Sequence, residues 1–263
     1  MTIPTFTLRQ LVEAGAHFGH HARRWNPQMA PYIYGKKDNV HIINLQKTYP
    51  MLYNALNAVR EVAANGGKVL FVATKKQAQE IVKEHAERCG QYYVNYRWLG
   101  GMMTNWKTVY KSINRLVKLN NMFEKNETEG YTKKELMNLK KEQEKLAMSL
   151  NGIMNMGGQP DMLFVIDTPK EALAIKEAKK LGIPVVGIVD TNANPNEVDY
   201  PVPGNDDAIR AISLYCELVS GAILDGMQAE IAAQGVKVEE AVAEAKPVKK
   251  RAPKKAKEET VEA

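Results

Sequence analysis

Three short runs of almost uninterrupted apolar residues, KVLFVAT at 68–74, MLFVID at 162–167 and PVVGIVD at 184–190, constrain the fold of this chain more than any other feature. Each has the length of a strand and none alternates apolar with polar, so each is expected to be covered on both faces, as in a parallel sheet between helices. The segments around them carry the rest of that grammar. Lys75 to Arg88 reads as the helix after the first strand, and Tyr92 to Tyr96 as a second strand. Pro169 to Leu181 reads as another helix, with Thr168 as its cap and Pro169 at its first position. A short strand at Tyr200 to Pro203 and a helix from about Asn205 to Asp225 complete five strands. Strands alternating with helices imply right-handed crossovers and a doubly wound parallel sheet of the α/β class.

A different periodicity interrupts the alternation. Trp106, Val109, Ile113, Leu116, Asn120 and Phe123 are spaced three and four apart, and Leu136, Leu139, Gln143, Leu146, Leu150 and Ile153 repeat the pattern, as in an antiparallel coiled-coil hairpin with its tip at Glu124 to Thr132. Symmetric pairing would set Asn120 against Leu139 and Leu116 against Gln143, two polar seam residues in adjacent layers. About eighteen residues at 1.5 Å each would carry the hairpin about 27 Å from the sheet. The chain then divides into an N-terminal basic segment with the first half of the sheet (1–104), the hairpin (105–156), the second half of the sheet (157–234) and a tail (235–263). In the tail, KPVKKRAPKKAK at 246–257 has seven basic residues and two prolines, a composition expected to stay disordered.

Charge is divided as sharply as structure. From Arg88 to Phe123 there is no Asp or Glu in thirty-six residues, while six cations (Arg88, Arg97, Lys107, Lys111, Arg115, Lys118) sit among seven aromatics that include Trp98. Residues 1–47 add six basic residues against two acids, whereas 159–226 hold eleven acids against five bases. A solvated face ordinarily mixes signs, so a one-sign stretch rich in rings points to a polyphosphate with stackable bases, namely RNA. Near the N-terminus, Arg23 and Arg24 precede Trp25, and Tyr32 to Tyr34 with Val40 to Ile43 read as a hairpin turned at Lys36 to Asn39. Arg23, Arg24, Lys36 and Lys37 are the phosphate-contact candidates there. The acid-rich half is expected to face solvent or basic protein neighbours.

Two function classes compete, an enzyme and a binding protein. His17, His20 and His21 cluster, and His20 with Asp190 and Asp206, of the Asp206/Asp207 pair at expected strand ends, could hold a divalent ion, although the zinc-protease spacing and its general-base Glu are absent. The loop after the first strand, ATKKQAQ, lacks the glycines of a P-loop or dinucleotide fingerprint, and neither a serine elbow nor a Cys–His pairing emerges. Cys89 and Cys216 are far apart and match no metal or redox spacing, as expected of reduced thiols in the cytosol. The opening MTIPTFTLRQLVEAG is not a charged leader followed by an apolar stretch, and no run of eighteen apolar residues occurs, which argues against secretion and membrane spanning.

In order, AGAHFGHHARRWNPQMAPYIYG, VHIINLQKT, VLFVATKKQA, NYRWLGGMMTNWKTV, MGGQPDMLFVIDT, GIPVVGIVDTNANP and PGNDDAIRAI resemble, across residues 5–226, the bacterial small-subunit ribosomal protein S-two family. The resemblance implies a flavodoxin-like domain with a protruding coiled coil, no catalysis and no required cofactor, ribosome-bound in the cytoplasm without stable self-association. It also implies binding to small-subunit ribosomal RNA between head and body, late in assembly, and docking of the S-one protein near the messenger exit. Carried onto this chain, RNA contact falls on Arg23, Arg24, Trp25, Lys36 and Lys37 and on Arg97, Trp98, Lys107, Lys111 and Arg115, with Lys118 continuing the same basic stretch. The alternative is a metal- or nucleotide-dependent enzyme on the same fold.

Overall fold

The computed structural model describes residues 4–125 and 131–233. Its first helix, α1 (Leu8–Glu13), starts on a capping box. The Thr7 hydroxyl accepts from the Gln10 N–H, and the Gln10 side chain accepts from the Thr7 N–H. Three antiparallel strands follow, β1 (Phe18–His21), β2 (Ile33–Lys37) and β3 (Val40–Ile43), in the order β1-β3-β2. The expected hairpin is the β2–β3 pair, and its turn is tighter than expected. Only Asp38 and Asn39 lie outside the strands, at φ 49° and 63°, the left-handed pair that a two-residue turn requires. Strand β1 was not expected, because FGHH gives little apolar signal.

The larger unit runs α2 (Leu45–Ala64), β4 (Val69–Val72), α3 (Gln79–Arg88), β5 (Tyr92–Val94), α4 (Trp106–Glu124), α5 (Lys133–Leu150), β6 (Met162–Ile166), α6 (Ala172–Leu181), β7 (Val185–Val189), β8 (Tyr200–Pro203) and α7 (Ile209–Ala233). All five strands pair in parallel, in the order β5-β4-β6-β7-β8, so the sheet is doubly wound as the apolar runs require.

Strand periodicity sorts the core into two layers. Val69, Phe71, Phe164, Ile166, Val186 and Ile188 face α2, α3 and α7, where they meet Leu56, Val59, Val82, Tyr215 and Val219. The intervening Leu70, Val72, Leu163, Val165, Val185 and Val189 meet Trp98, Met102, Val109, Ile113, Ala174 and Ala178 on the other side. Helices α2 and α7 approach closely because Gly226 has no side chain. A Cβ there would lie 2.6 Å from the Arg60 carbonyl oxygen and 2.8 Å from the Ala63 Cβ.

Several boundaries differ from expectation for local reasons. The helix expected from Lys75 begins at Gln79, because residues 75–78 form a turn, closed by the Ala78 N–H donating to the Lys75 carbonyl, that places Lys75 at the carboxyl ends of the strands. The helix expected from Pro169 begins at Ala172, without a side-chain cap. Asp167 takes a left-handed φ of 66° and accepts the Lys170 and Glu171 N–H groups, so 168–171 turn before the helix starts. The last helix starts at Ile209, after Asn205 Oδ1 accepts from the N–H groups of Asp207 and Ala208. Helix α2, unforeseen, buries Leu52, Leu56, Val59 and Ala63 at helical spacing despite Pro50 near its start.

Between β5 and β6, α4 and α5 pair along the expected seam. Val109, Ile113, Leu116 and Leu119 are buried on α4, and Gln143 Nε2 donates to Asn120 Oδ1 at 2.7 Å, so the two polar seam residues meet each other and the symmetric register expected, Asn120 against Leu139 and Leu116 against Gln143, is not the one formed. Only Leu150 is buried on α5. Most of the expected tip (126–130) and the expected disordered tail (235–263) lie outside the described residues.

Candidate nucleic-acid interface

Two sets of cations reach solvent on separate elements. The first surrounds the small sheet. Arg23 and Arg24 sit in a 3₁₀ turn at Ala22–Arg24, and with His21, Lys36 and Asn39 they line a cleft of about 740 Å³. Lys37 is exposed beside it, and Trp25 is 42% exposed, its ring 5.5 Å from that of His41. The second set is a stripe on α4. Lys107, Lys111, Arg115 and Lys118 fall within about 80° of one another around the helix, opposite the buried Val109, Ile113, Leu116 and Leu119. Of these cations only Arg115 has an ion-pair partner among the described residues, a two-pronged contact with Glu142 at 3.0 and 3.1 Å. Arg97, after β5, is exposed.

Trp98 corrects the sequence reading. It is 8% exposed, its ring lies in the core, and its Nε1 donates to Glu177 at 3.1 Å, so only its edge reaches the cleft beside Arg97 and little of it is left for a base to stack on. Sequence alone does not separate a stacking platform from a core indole. Glu177, on α6, binds the whole loop that precedes α4. Its Oε1 accepts from Trp98 Nε1 and Gly101 N, and its Oε2 from the backbone N–H groups of Met103 and Thr104 and from the Thr104 hydroxyl. Burial would raise the pKa of this carboxyl, but the converging N–H donors outweigh it and hold the group below its ordinary value.

The residues considered for a divalent ion do converge. His20, Asp190 and Asp206, joined by Asp207, place one donor atom each within 4.8 Å of the others. A side chain not considered from sequence shares that place. Lys75 Nζ lies 2.8 Å from Asp206, 2.7 Å from Asp207 and 3.6 Å from Asp167, so an ammonium already supplies positive charge among the carboxylates. Burial would lower the Lys75 pKa, but its bonds to Asp206 and Asp207 reverse that and keep it charged. His20 Nδ1 is 2.9 Å from Asp190 Oδ2, and this bond raises its pKa to about 9 against the opposing effect of burial. Asp206 is shifted upward by burial and by the charges of Asp190 and Asp167.

This cluster fastens the small sheet to the large one. The His20 N–H donates to Thr191 Oγ1 at 2.9 Å and Asp190 Oδ1 at 3.2 Å. Gly19 permits the approach, since a Cβ there would sit 2.6 Å from Thr191 Cγ2. The acid-rich half therefore turns part of its carboxylates inward, while Asp161, Asp199, Asp207 and Glu217 stay exposed. Asp190, Asp206 and Asp167 are held by His20 and Lys75, Glu177 by the loop before α4, Glu171 by Thr74, and Asp225 by Arg60. Among the described residues no helix is long and apolar enough to cross a membrane.

The sequence pattern described as Ribosomal protein S2 matches residues 11–226. The chain is 63% identical over 238 residues to the small ribosomal subunit protein uS2 of Rhodospirillum rubrum, covering 90% of this chain and 91% of that one. It is 62% identical over 236 residues to uS2 of Rhodospirillum centenum, 90% of each chain, and 63% identical over 235 residues to uS2 of Gluconobacter oxydans, 89% of this chain and 88% of that one. These matches favour a ribosomal protein over the enzyme alternative. The chain belongs to the ribosomal protein S2 family of the small ribosomal subunit.

Proposed function

We propose that this chain is a structural, non-catalytic component of the small ribosomal subunit in the cytoplasm, and that it grips ribosomal RNA between head and body. The contacts are the cleft around Arg23, Arg24 and Lys36, with Lys37 and Trp25 beside it, and the α4 stripe with Arg97 at its base. One observation carries the reading. Lys107, Lys111 and Lys118 stand on one exposed helical stripe with no ion-pair partner among the described residues. Unpaired like charges repel one another, and a polyanion that exchanges its counterions for them removes that cost. In this reading α4 and α5 form a projecting coiled-coil arm with Asn120–Gln143 fixing its register. The protein also helps dock the S-one protein near the messenger exit. Neither a cofactor nor a second copy is required.

The test is binding to a small-subunit ribosomal RNA fragment as a function of salt. Replacing Lys107, Lys111 and Lys118 by Ala should shallow the slope of log K against log salt by about 0.7–0.9 per lost phosphate contact, or about 2–3 in all. An unchanged slope removes the stripe from the interface.

A further inference from the structure

The geometry points to a pocket for one unpaired RNA nucleotide at the carboxyl ends of β4, β5 and β6, separate from the N-terminal cleft and sharing Arg97 with the base of the α4 stripe. It rests on the RNA-binding reading above and adds a site to it.

A doubly wound sheet has one place where successive crossovers leave toward opposite faces, and the crevice outside the strand ends there is where such sheets accept ligands. In this chain it lies between β4 and β6. Strand β4 is followed by α3 on one face, and the chain returns to β6 by way of α4 and α5 on the other. The Lys75 side of the strand ends is already filled by the ion cluster. On the other side a cleft of about 490 Å³ stays open, within the range that holds small ligands. Its lining includes Thr74, Tyr96, Arg97, Lys170, Glu171 and Leu173.

The chemistry of that lining is ordered from mouth to back. Arg97 and Lys170 are exposed and have no carboxylate ion-paired with them among the described residues, so they place positive charge at the rim. Tyr96 is 52% exposed and Leu173 48% exposed, giving a ring and an apolar surface for a flat group. Glu171 is 2% exposed at the back, where its Oε1 accepts the Thr74 N–H at 2.9 Å and also the Thr74 hydroxyl. A phosphate at the rim, a base against Tyr96 and a buried acceptor behind it match a nucleotide. The Lys170 ammonium, fixed 3.0 Å from the Thr74 carbonyl oxygen, ties the two strand ends together at the mouth. A free nucleoside triphosphate suits the site less well. The loop at 73–78 has no glycine, so its backbone cannot wrap a phosphate chain, and two rim cations fit the single phosphate of a residue within an RNA strand.

The full chain is titrated with a ten-nucleotide single-stranded RNA of mixed sequence, with a blunt RNA duplex, and with AMP and GMP. Tyr96→Ala should weaken single-strand binding by about 5- to 100-fold with little change in salt slope, since it removes a stacking surface and no charge. Tyr96→Phe should bind like the parent. Arg97→Ala and Lys170→Ala should each shallow the single-strand slope by about 0.7. Short-wavelength crosslinking should map to the peptide containing Tyr96. Single-strand affinity that is the same in Tyr96→Ala and the parent, with crosslinks elsewhere, overturns the pocket while leaving duplex binding by the cleft and stripe intact. Absence of salt-dependent binding to every RNA overturns both readings. Saturable AMP or GMP binding as tight as that of the single strand, and lost in Tyr96→Ala, overturns the RNA strand as occupant in favour of a free nucleotide. Melting temperatures of all variants within about 2 °C of the parent exclude misfolding.

Discussion

Glu177→Gln tests whether one buried carboxylate holds the base of the α4 arm. Glu177 Oε1 accepts from Trp98 Nε1 at 3.1 Å and Gly101 N at 2.8 Å, while Oε2 accepts from Met103 N at 3.1 Å, Thr104 N at 3.1 Å and Thr104 Oγ1 at 3.0 Å. All five donors point at a group that donates nothing. An amide satisfies only one side. With its oxygen toward Met103 and Thr104 it keeps three bonds, and its NH₂ then faces the Trp98 and Gly101 N–H groups, donor against donor. Two charge-assisted bonds at about 1.5–3 kcal/mol each are lost, offset in part because a neutral amide is easier to bury, which leaves a net cost of about 3 kcal/mol. For a chain of this size each kcal/mol moves the melting temperature by roughly 2–4 °C, so Glu177→Gln should melt about 6–12 °C lower. Glu177→Ala, which strands all the donors, should cost more.

The site also reports on itself. The chain has three tryptophans, so in a Trp25→Phe/Trp106→Phe background the fluorescence of Trp98 alone should shift to the red as the loop loosens. The sign with pH follows from the depressed carboxyl. Its stabilisation is complete above the unfolded value and is lost as pH falls through the lower folded value. The parent should therefore lose stability in acid more steeply than Glu177→Gln. A variant that melts within about 2 °C of the parent with Trp98 emission unmoved would refute the idea that these bonds fix the loop.

The cluster around His20 makes its own demands. His20 faces Asp190, Asp206 and Asp207, with Lys75 among the same carboxylates, and its pKa is raised from 6.5 to about 9. Its contribution, about 3 kcal/mol at most, should be present in full below pH 6.5 and fade as pH rises through 9, and His20→Gln should flatten chemical denaturation midpoints across that window. Lys75→Met removes the resident cation and leaves four carboxylates and an imidazole, so calorimetric titration with Mn²⁺ should show tighter binding than in the parent. Gly226→Val puts carbon where the Arg60 carbonyl already lies, and should lower stability by about 1–3 kcal/mol in urea unfolding by forcing α2 from α7.

What the sequence made legible followed one rule: positions where burial and periodicity agree could be read, and positions chosen by a distant partner could not. The strands at 69–72, 162–166 and 185–189 stand within a residue or two of the apolar runs because both faces are covered, as the runs themselves imply. The seam positions of α4 and α5 were readable from their spacing, but the register was not, since Asn120 meets Gln143 rather than Leu139. Helix α2 carried the same signal in Leu52, Leu56, Val59 and Ala63, but Pro50 and the intervening asparagines obscured it. Lys75, by contrast, is one of two adjacent lysines in a turn. Only the return of the chain more than ninety residues later, with Asp167 and then Asp206, gives it a role. Trp98 misled for the same reason, since Glu177 lies 79 positions away.

The division of charge along the chain has a physical sense that net charge conceals. Six of the eleven carboxylates of residues 159–226, those of Asp167, Glu171, Glu177, Asp190, Asp206 and Asp225, are held by Lys75, His20, Arg60, Thr74 and backbone N–H groups and help to build the scaffold, while Asp161, Asp199, Asp207 and Glu217 stay exposed. The lysines and arginines of the N-terminal cleft and the α4 stripe stay mostly unpaired at the surface. A stable fold has no use for that arrangement, because like charges left without partners only repel. Internal pairing therefore uses up about half of the acids of 159–226, and none of the rest pairs with the α4 stripe among the described residues. Under the RNA-binding reading proposed above, compensation comes from outside, from phosphates whose charge and spacing suit a stripe of cations rising one helical turn at a time.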